Sequence, residues 1–199
     1  MFNTFTRYFM PGENGSLEPG ERMVNFCWYY NLPANSQDFA DAMTDIYGHR
    51  HRNTLPMGKL SEAAWAKQRA YGNKVLAPPL VELLNKITQP FLTAVSDTIA
   101  PQASFFDGKL LLVGDALALF RPHIAASTNQ AALNCLLLEK VLKGEMEISS
   151  WESQVMKYAR SNWLRSITWG TYYQSGYPSY LLSEMWYRLE LARQRRSKM

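Results

Sequence analysis

Residues 110–123 read Leu-Leu-Leu-Val-Gly-Asp-Ala-Leu-Ala-Leu-Phe-Arg-Pro-His, and the folding of this stretch decides the architecture around it. The apolar run Leu110 to Val113 suits a strand buried on both faces, a pattern usual in parallel sheets. Gly114 lets the backbone turn closely at the strand end. Asp115 offers a carboxylate that can accept bonds from sugar hydroxyls. The helix that follows, capped by Ser127 or Thr128, presents free N–H groups and a positive dipole end to an anion or a carbonyl oxygen. Its Ala131, Ala132, Cys135, Leu136 and Leu138 predict burial nearly all round, until Gly144 stops it. A strand of this kind wants parallel neighbours, yet no βαβ unit elsewhere supplies them and no Gly-x-Gly-x-x-Gly occurs. The chain therefore reads as the carboxy-terminal part of something larger.

Upstream, residues 2–10 are rich in Phe, Thr and Tyr and predict a strand, closed by a turn at Pro11 to Gly15. A second strand over Arg22 to Tyr30 carries large side chains on both faces, which predicts cover on each side. Ser36 caps a short helix over Phe39 to Ile46. The cluster His49-Arg50-His51-Arg52 predicts a solvated basic loop. A helix runs from Ser61-Glu62 to Val75, where Pro78-Pro79 ends it, and Pro79 serves as the first residue of the next, to about Ile87. A strand is expected around Thr93 to Ile99, and Phe106 to Lys109 forms a turn. Downstream, Ser149 and Glu152 offer a capping box for a helix to about Tyr173, and a last amphipathic helix runs from about Ser179 into a basic tail of Arg193, Arg195, Arg196 and Lys198.

Of the 199 residues 47% are hydrophobic and 13% aromatic, enough to bury one ordinary core, so a single domain over 1–199 is expected. Its parts are a sheet with helices over 1–105, the strand–loop–helix of 106–145, and helices over 146–199. Charged residues at 19% argue against long disordered tails. The formal charge of +4 gathers in the tail, with no basic face interleaved with aromatics, so nucleic acid is not expected as a partner. Cys27 and Cys135 lie far apart among apolar neighbours and read as buried thiols; no metal site is expected. No signal peptide and no apolar stretch of membrane-spanning length are visible, so a cytoplasmic protein is expected. The fold class is α+β, a small, mainly antiparallel sheet packed against helices. It draws its strands from 2–10, 22–30, about 93–105 and 110–113.

The stretch from Gly114-Asp115 onward resembles the second flavin motif of the class A flavin monooxygenases, commonly Gly-Asp-Ala-Ala-His followed by Pro-x-x-Gly-x-Gly. Arg121-Pro122-His123, Tyr8-Phe9-Met10-Pro11-Gly12-Glu13-Asn14-Gly15 and Asn25-Phe26-Cys27-Trp28-Tyr29-Tyr30 are similar to the 2,6-dihydroxypyridine 3-monooxygenase branch. The likeness runs from about residue 7 to about residue 160. It implies a substrate domain, the second flavin motif and the helices behind it, in a family that uses FAD and NAD(P)H to hydroxylate electron-rich rings. The amino-terminal flavin-binding half of that family is not found in this sequence. Leu117 and Ala118 stand where the family has Ala and His, and Ala125 and Ser127 replace the glycines that admit the flavin ring. Glu13 is read as structural. Gly114 and Asp115 are thus expected to be relics of a flavin site. The chain is expected to hold no cofactor, with FAD only if a partner chain supplies the missing half.

The remaining chemistry is expected at His123, Arg121 and Asp115, with His123 as general acid or base, Arg121 stabilising an enolate or carbonyl oxygen, and Asp115 orienting one of them. The plainer alternative is that Asp115 caps the turn and Arg121 pairs with it. Asn25, Trp28, Tyr29 and Tyr30 are expected to contact substrate. Trp163, Trp169, Tyr172, Tyr173, Trp186 and Tyr187 have helical spacing and are expected in the core. These readings lead to a cofactor-free isomerase or cyclase, a [4+2] cyclisation included, acting on a hydrophobic small molecule in secondary metabolism. One alternative is a fragment or split subunit of an FAD- and NAD(P)H-dependent monooxygenase hydroxylating an aromatic or heteroaromatic ring. A second is a non-catalytic binding or dimerisation module. A homodimer is expected to cover the surface left bare by the absent half.

Overall fold

The computed structural model describes residues 4–196; Phe2 and Asn3 of the expected first strand and Lys198 of the basic tail lie outside them. The described residues form two compact units, one up to Ala94 and one from Val95 onward.

In the first unit, β1 (Thr4–Met10) pairs antiparallel with β2 (Met23–Tyr29), Thr6 opposite Cys27 and Tyr8 opposite Asn25. Alternation along β2 puts Asn25, Cys27 and Tyr29 on one face and Phe26 and Trp28 on the other. The expected cover is only partial: Asn25 to Tyr29 are half-buried, while Phe5, Phe9 and Val24 are exposed, as a two-stranded ribbon has no further strands to shield it. Ser36 caps α1 (Gln37–Ala42) as expected, its Oγ accepting the Phe39 N–H at 3.1 Å, but the helix ends short of the expected Ile46, because Thr44 and Asp45 bridge to Arg50 and Leu60 instead.

The basic loop that follows is not simply solvated. Buried Asp45 organises it, accepting the N–H groups of Tyr47 and His49 at 2.9 Å each on Oδ1 and meeting His51 Nε2 at 2.9 Å on Oδ2. The His51 bond, helped by the two backbone donors, holds the Asp45 carboxyl down at about 2. β3 (Thr54–Leu55) pairs with β4 (Leu92–Thr93), and between them lie α2 (Glu62–Val75), capped by Ser61, and α3 (Pro78–Lys86), opened by proline. Ala42, Met43, Leu55, Trp65, Leu80 and Leu84 are the buried apolar residues here.

In the second unit, β5 (Thr98–Ile99) pairs with β8 (Ala118–Leu119), and β6 (Ser104–Phe105) with β7 (Leu110–Leu111), all antiparallel. The parallel strand expected at Leu110 to Val113 is therefore corrected. Phe106, Asp107 and Gly108 all take left-handed conformations, which folds β7 straight back on β6 and leaves Leu110 exposed. The α+β class stands, with its strands arranged as four separate two-stranded pairs, and the strand expected around Thr93 to Ile99 is corrected to β4 and β5, which have different partners and no strand over 94–97 between them.

Helices α4 (Ser127–Leu142), α5 (Ile148–Ser175) and α6 (Tyr177–Arg196) complete the unit. No side chain caps α4, whose boundary residue is Ala126, so the expected cap at Ser127 or Thr128 is not made. Nor is α4 buried all round: Ala132, Cys135 and Leu136 are exposed, and its fully buried positions are the polar Gln130 and Asn134. The capping box at Ser149 and Glu152 is absent too. Glu152 Oε1 instead accepts the N–H groups of Ala103 and Ser104, at 2.8 and 2.9 Å. The core joins Leu117, Ala118 and Phe120 to Trp151, Val155, Met156 and Ala159 on α5. No helix of the described residues is long and apolar enough to cross a membrane.

Candidate functional site

Gly114 and Asp115 form a short 3-10 turn with Ala116, Gly114 at φ +57, where a side chain is strained. Two amides of α4 lock this turn. Gly114 N–H donates to Asn134 Oδ1 at 2.9 Å, and Gln130 Nε2 donates to the carbonyls of Gly114 and Ala118 at 2.8 Å each. Trp151 Nε1 adds a bond to the Asn134 carbonyl at 3.2 Å. These contacts explain why α4 buries amides where its sequence suggested only apolar contact. The Asp115 residue itself is exposed.

Arg121 and His123 follow in and beside a second 3-10 turn, Pro122–Ile124. Arg121 pairs with Asp97, not with Asp115: its Nε lies 2.7 Å from Asp97 Oδ2. Trp163 Nε1 donates to the other oxygen, Oδ1, at 2.9 Å, so both carboxylate oxygens are engaged. The Arg121 N–H reaches Ser166 Oγ at 3.2 Å. A guanidinium bonded to a carboxylate through Nε carries further N–H donors on its terminal nitrogens. His123 lies half-buried, its ring stacked on Tyr173 with centroids 6.0 Å apart. Burial first, then the nearby Arg121 charge, push the imidazole below its ordinary value, so it is neutral near pH 7.

Room for both side chains comes from Gly170 on α5. A Cβ there would stand 2.8 Å from Arg121 Cδ and 3.0 Å from His123 Nδ1. Asp97, Ser166 and Gly170 are not among the residues the sequence singles out, and Trp163 is expected there only as part of the core. Asp97 and Trp163 carry no local signal, because their partner is remote in sequence. Gly170 did carry one: a glycine inside a long helix costs about 1 kcal/mol and commonly marks a close approach.

The expected aromatic core of the late helices is corrected. Trp169, Tyr172, Tyr173 and Trp186 are exposed, because α5 and α6 pack on each other and each covers one face of the other, with no residue of α6 buried. Trp169, Tyr172, Tyr173 and Tyr180 do gather into one ring cluster, with centroids 5.3–6.5 Å apart.

The four expected substrate contacts all belong to the first unit and divide between the faces of its ribbon. Trp28 and Tyr30 pack with Tyr71, Trp28 stacked on it at 5.9 Å and 8°. Asn25 and Tyr29 take the other face, where burial and the neighbouring Cys27 raise the Tyr29 hydroxyl above its ordinary value. Cys27 is half-buried, while Cys135 is exposed, contrary to expectation. Among the described residues no group of three or more His, Cys, Asp or Glu could hold a metal ion.

The residues near Gly114 do not by themselves make a flavin cradle. Both backbone polar groups of Gly114 are already bonded to α4. Ala125 holds a left-handed conformation, φ 49, with a methyl group where the resemblance implies bare glycine. Ser127 adds a hydroxymethyl group, and Asp115 supplies a lone outward carboxylate.

The family described as FAD binding domain-like matches residues 3–97, largely the first unit. The chain is 29% identical over 156 residues to 2,6-dihydroxypyridine 3-monooxygenase of Paenarthrobacter nicotinovorans, an alignment covering 75% of this chain and 37% of that protein. The solved structure of 2,6-dihydroxypyridine-3-hydroxylase from Arthrobacter nicotinovorans is similar with a TM-score of 0.77 and 24% identity, over 90% of this chain and 46% of that one. The chain thus spans under half the length of the relatives it matches. The likeness expected from the motifs is found, and the fold is shared.

Proposed function

We propose, from the premise that this chain is related to the 2,6-dihydroxypyridine 3-monooxygenase branch of the flavin monooxygenases, that its second unit houses a proton-transfer site working without a flavin of its own. The observation that carries the reading is the Asp97–Arg121–His123 arrangement, a neutral imidazole beside a guanidinium already fixed by a carboxylate. His123 takes a proton from an enolisable carbon of a hydrophobic, conjugated small molecule. The terminal nitrogens of Arg121 stabilise the charge that develops on the conjugated oxygen. The imidazolium then returns the proton to a different atom, so the reaction is an isomerisation with no net redox change. Where the enolate so formed is part of a diene facing an alkene, the same polarisation assists a [4+2] ring closure. Asp97 acts as a positioning residue, and exposed Asp115 takes no part.

A second reading is favoured by one observation: Gly114 and Ala125 both keep left-handed backbone in the loop where the family's flavin motif lies. In this reading the chain is one half of a hydroxylase of heteroaromatic rings and meets FAD together with a flavin-binding chain.

The test uses the purified chain and 2,6-dihydroxypyridine in D2O, following exchange at the ring carbons by NMR. The first reading expects exchange faster than in buffer, reduced about 10²-fold or more in His123→Ala, and less severely in Asp97→Asn. Equal exchange in wild type and His123→Ala overturns it. Stoichiometric flavin absorption after FAD is added to the chain alone overturns the cofactor-free part.

A further inference from the structure

Two tight turns of the first unit stand side by side, each with a large apolar side chain at its tip. In the first, the Gly48 N–H returns to the Asp45 carbonyl at 2.9 Å; in the second, the Lys59 N–H returns to the Pro56 carbonyl at 3.2 Å. Each holds a glycine in left-handed backbone, Gly48 and Gly58, directly after Tyr47 and Met57. The turns are joined, because Asp45 bridges antiparallel to Leu60 and the Ile46 N–H donates to the Lys59 carbonyl at 3.0 Å. Ile46, Tyr47 and Met57 are 52–78% exposed, and the register of β3 on β4 sets the equally exposed Phe91 opposite Pro56. Turn tips ordinarily carry small or polar residues. Here the buried carboxylate of Asp45 fixes one tip while large apolar side chains stand in water.

We infer that these tips dock on an anionic phospholipid surface, Tyr47 and Met57 entering the headgroup boundary while Arg50, Arg52 and Lys59 meet lipid phosphates. Charge selects this occupant. From residue 43 to residue 61 the sequence has those three permanent cations and one acid, Asp45, which is buried with both oxygens engaged. The flanking acids are taken up elsewhere, Asp41 by the Gln37 amide and Glu62 by Arg69. Arg50 and Arg52 are exposed and, among the described residues, form no ion pair. Lys59 Nζ stands 5.9 Å over the Tyr47 ring, so a cation and an amphipathic aromatic share one tip. An apolar protein groove would leave the arginines without acceptors, and nucleic acid would leave Ile46 and Met57 in water. Headgroups over acyl chains supply both kinds of contact, and tyrosine favours that boundary. The site lies within the first unit and uses none of the residues placed in proton transfer.

Co-sedimentation of the full chain with lipid vesicles tests it. Wild type is expected to bind phosphatidylcholine vesicles containing about one-third phosphatidylserine, and not pure phosphatidylcholine. Arg50→Gln with Arg52→Gln should weaken that binding roughly 30-fold, about fivefold for each charge withdrawn from the surface. Tyr47→Ser with Met57→Ser should weaken it about tenfold and leave its salt dependence unchanged. All four side chains are exposed, so circular dichroism should match wild type. Replacing Arg193, Arg195 and Arg196 of the tail by Gln should matter less than either loop variant. Overturning results are a wild-type chain that ignores anionic vesicles, loop variants that bind as wild type does, or binding lost with the tail arginines alone. A chain that binds a single-stranded oligonucleotide through Arg50 and Arg52, indifferent to Tyr47 and Met57, and binds vesicles no better, overturns it in favour of nucleic acid.

Discussion

Around Gly114, the groups that reach the loop backbone are the neutral amides of Gln130 and Asn134, both 0% exposed. Around Arg121 the backbone N–H meets the Ser166 hydroxyl, itself 0% exposed, while the side chain pairs with the partly exposed Asp97 carboxylate, which the Trp163 indole also bonds, beside a His123 ring whose nitrogens are buried. The two places are ends of one continuous stretch, yet the first has its polar groups closed on the protein and the second keeps donors available. Buried amide contacts stabilise a backbone shape at the cost of anything a ligand could use. An ion pair at the rim fixes one side of a guanidinium and leaves the other side for chemistry.

The sharpest way to break this contrast is Gln130→Leu. It removes the Gln130 bond to the Ala118 carbonyl and one of two bonds to the Gly114 carbonyl, which keeps the Leu117 N–H at 3.0 Å, partly offset by removing the side-chain Oε1, which has no partner among the described residues. A loss of about 2 kcal/mol is expected, a fall in Tm of order 5 °C by calorimetry. The NMR titration of His123 should hardly move. An undiminished Tm would mean that the amides do not hold the turn.

That contrast was half legible in the sequence. Gly114 and Asp115 announced a turn, Ser36 and Ser61 are the helix caps expected, and the helix expected from Pro79 starts one residue earlier, at Pro78. What could not be read was long-range pairing. Glu152 looked like the partner of nearby Ser149, and only the folded chain brings it to the N–H groups of Ala103 and Ser104. Asp97 and Trp163, 66 residues apart, meet for the same reason. The run Leu110 to Val113 misled because continuous apolar residues fit any doubly covered strand, and the left-handed residues of the turn before it decided the partner. Burial of α4 was overestimated because a helix covered on one side can keep alanine, cysteine and leucine outside.

Gly170→Ala acts on the other end of the stretch. The added methyl would lie 2.8 Å from Arg121 Cδ, so the pair must shift, and overpacking of this kind costs about 1–3 kcal/mol. Here the His123 signal should move, unlike in the Gln130 variant. The wild-type ring is charged less readily folded than unfolded, because burial and Arg121 disfavour the imidazolium. Native stability should therefore be complete above pH 6.5 and decline as the pH falls through the lowered folded value. Replacing His123 by Gln removes that part of the decline. A stability profile between pH 5 and 7 identical in wild type and His123→Gln would contradict a ring held neutral by its surroundings.

The smallest effect is expected between the two ends, at Ala125. Its φ of 49 lies where a Cβ crowds the following carbonyl, at about 1–2 kcal/mol for an L-residue. Glycine relieves that strain but adds freedom to the unfolded chain, worth about 0.4–1 kcal/mol in the opposite sense. Ala125→Gly should thus stabilise by about 0.5 kcal/mol, seen as a higher denaturant midpoint with an unchanged slope. The sign matters more than the size. A gain means that the loop keeps a backbone suited to glycine after the residue itself has gone, which ties the exposed half of the stretch to the same ancestral turn as Gly114. A loss means that the alanine methyl has found contacts of its own, and that the loop beside His123 has been rebuilt around them.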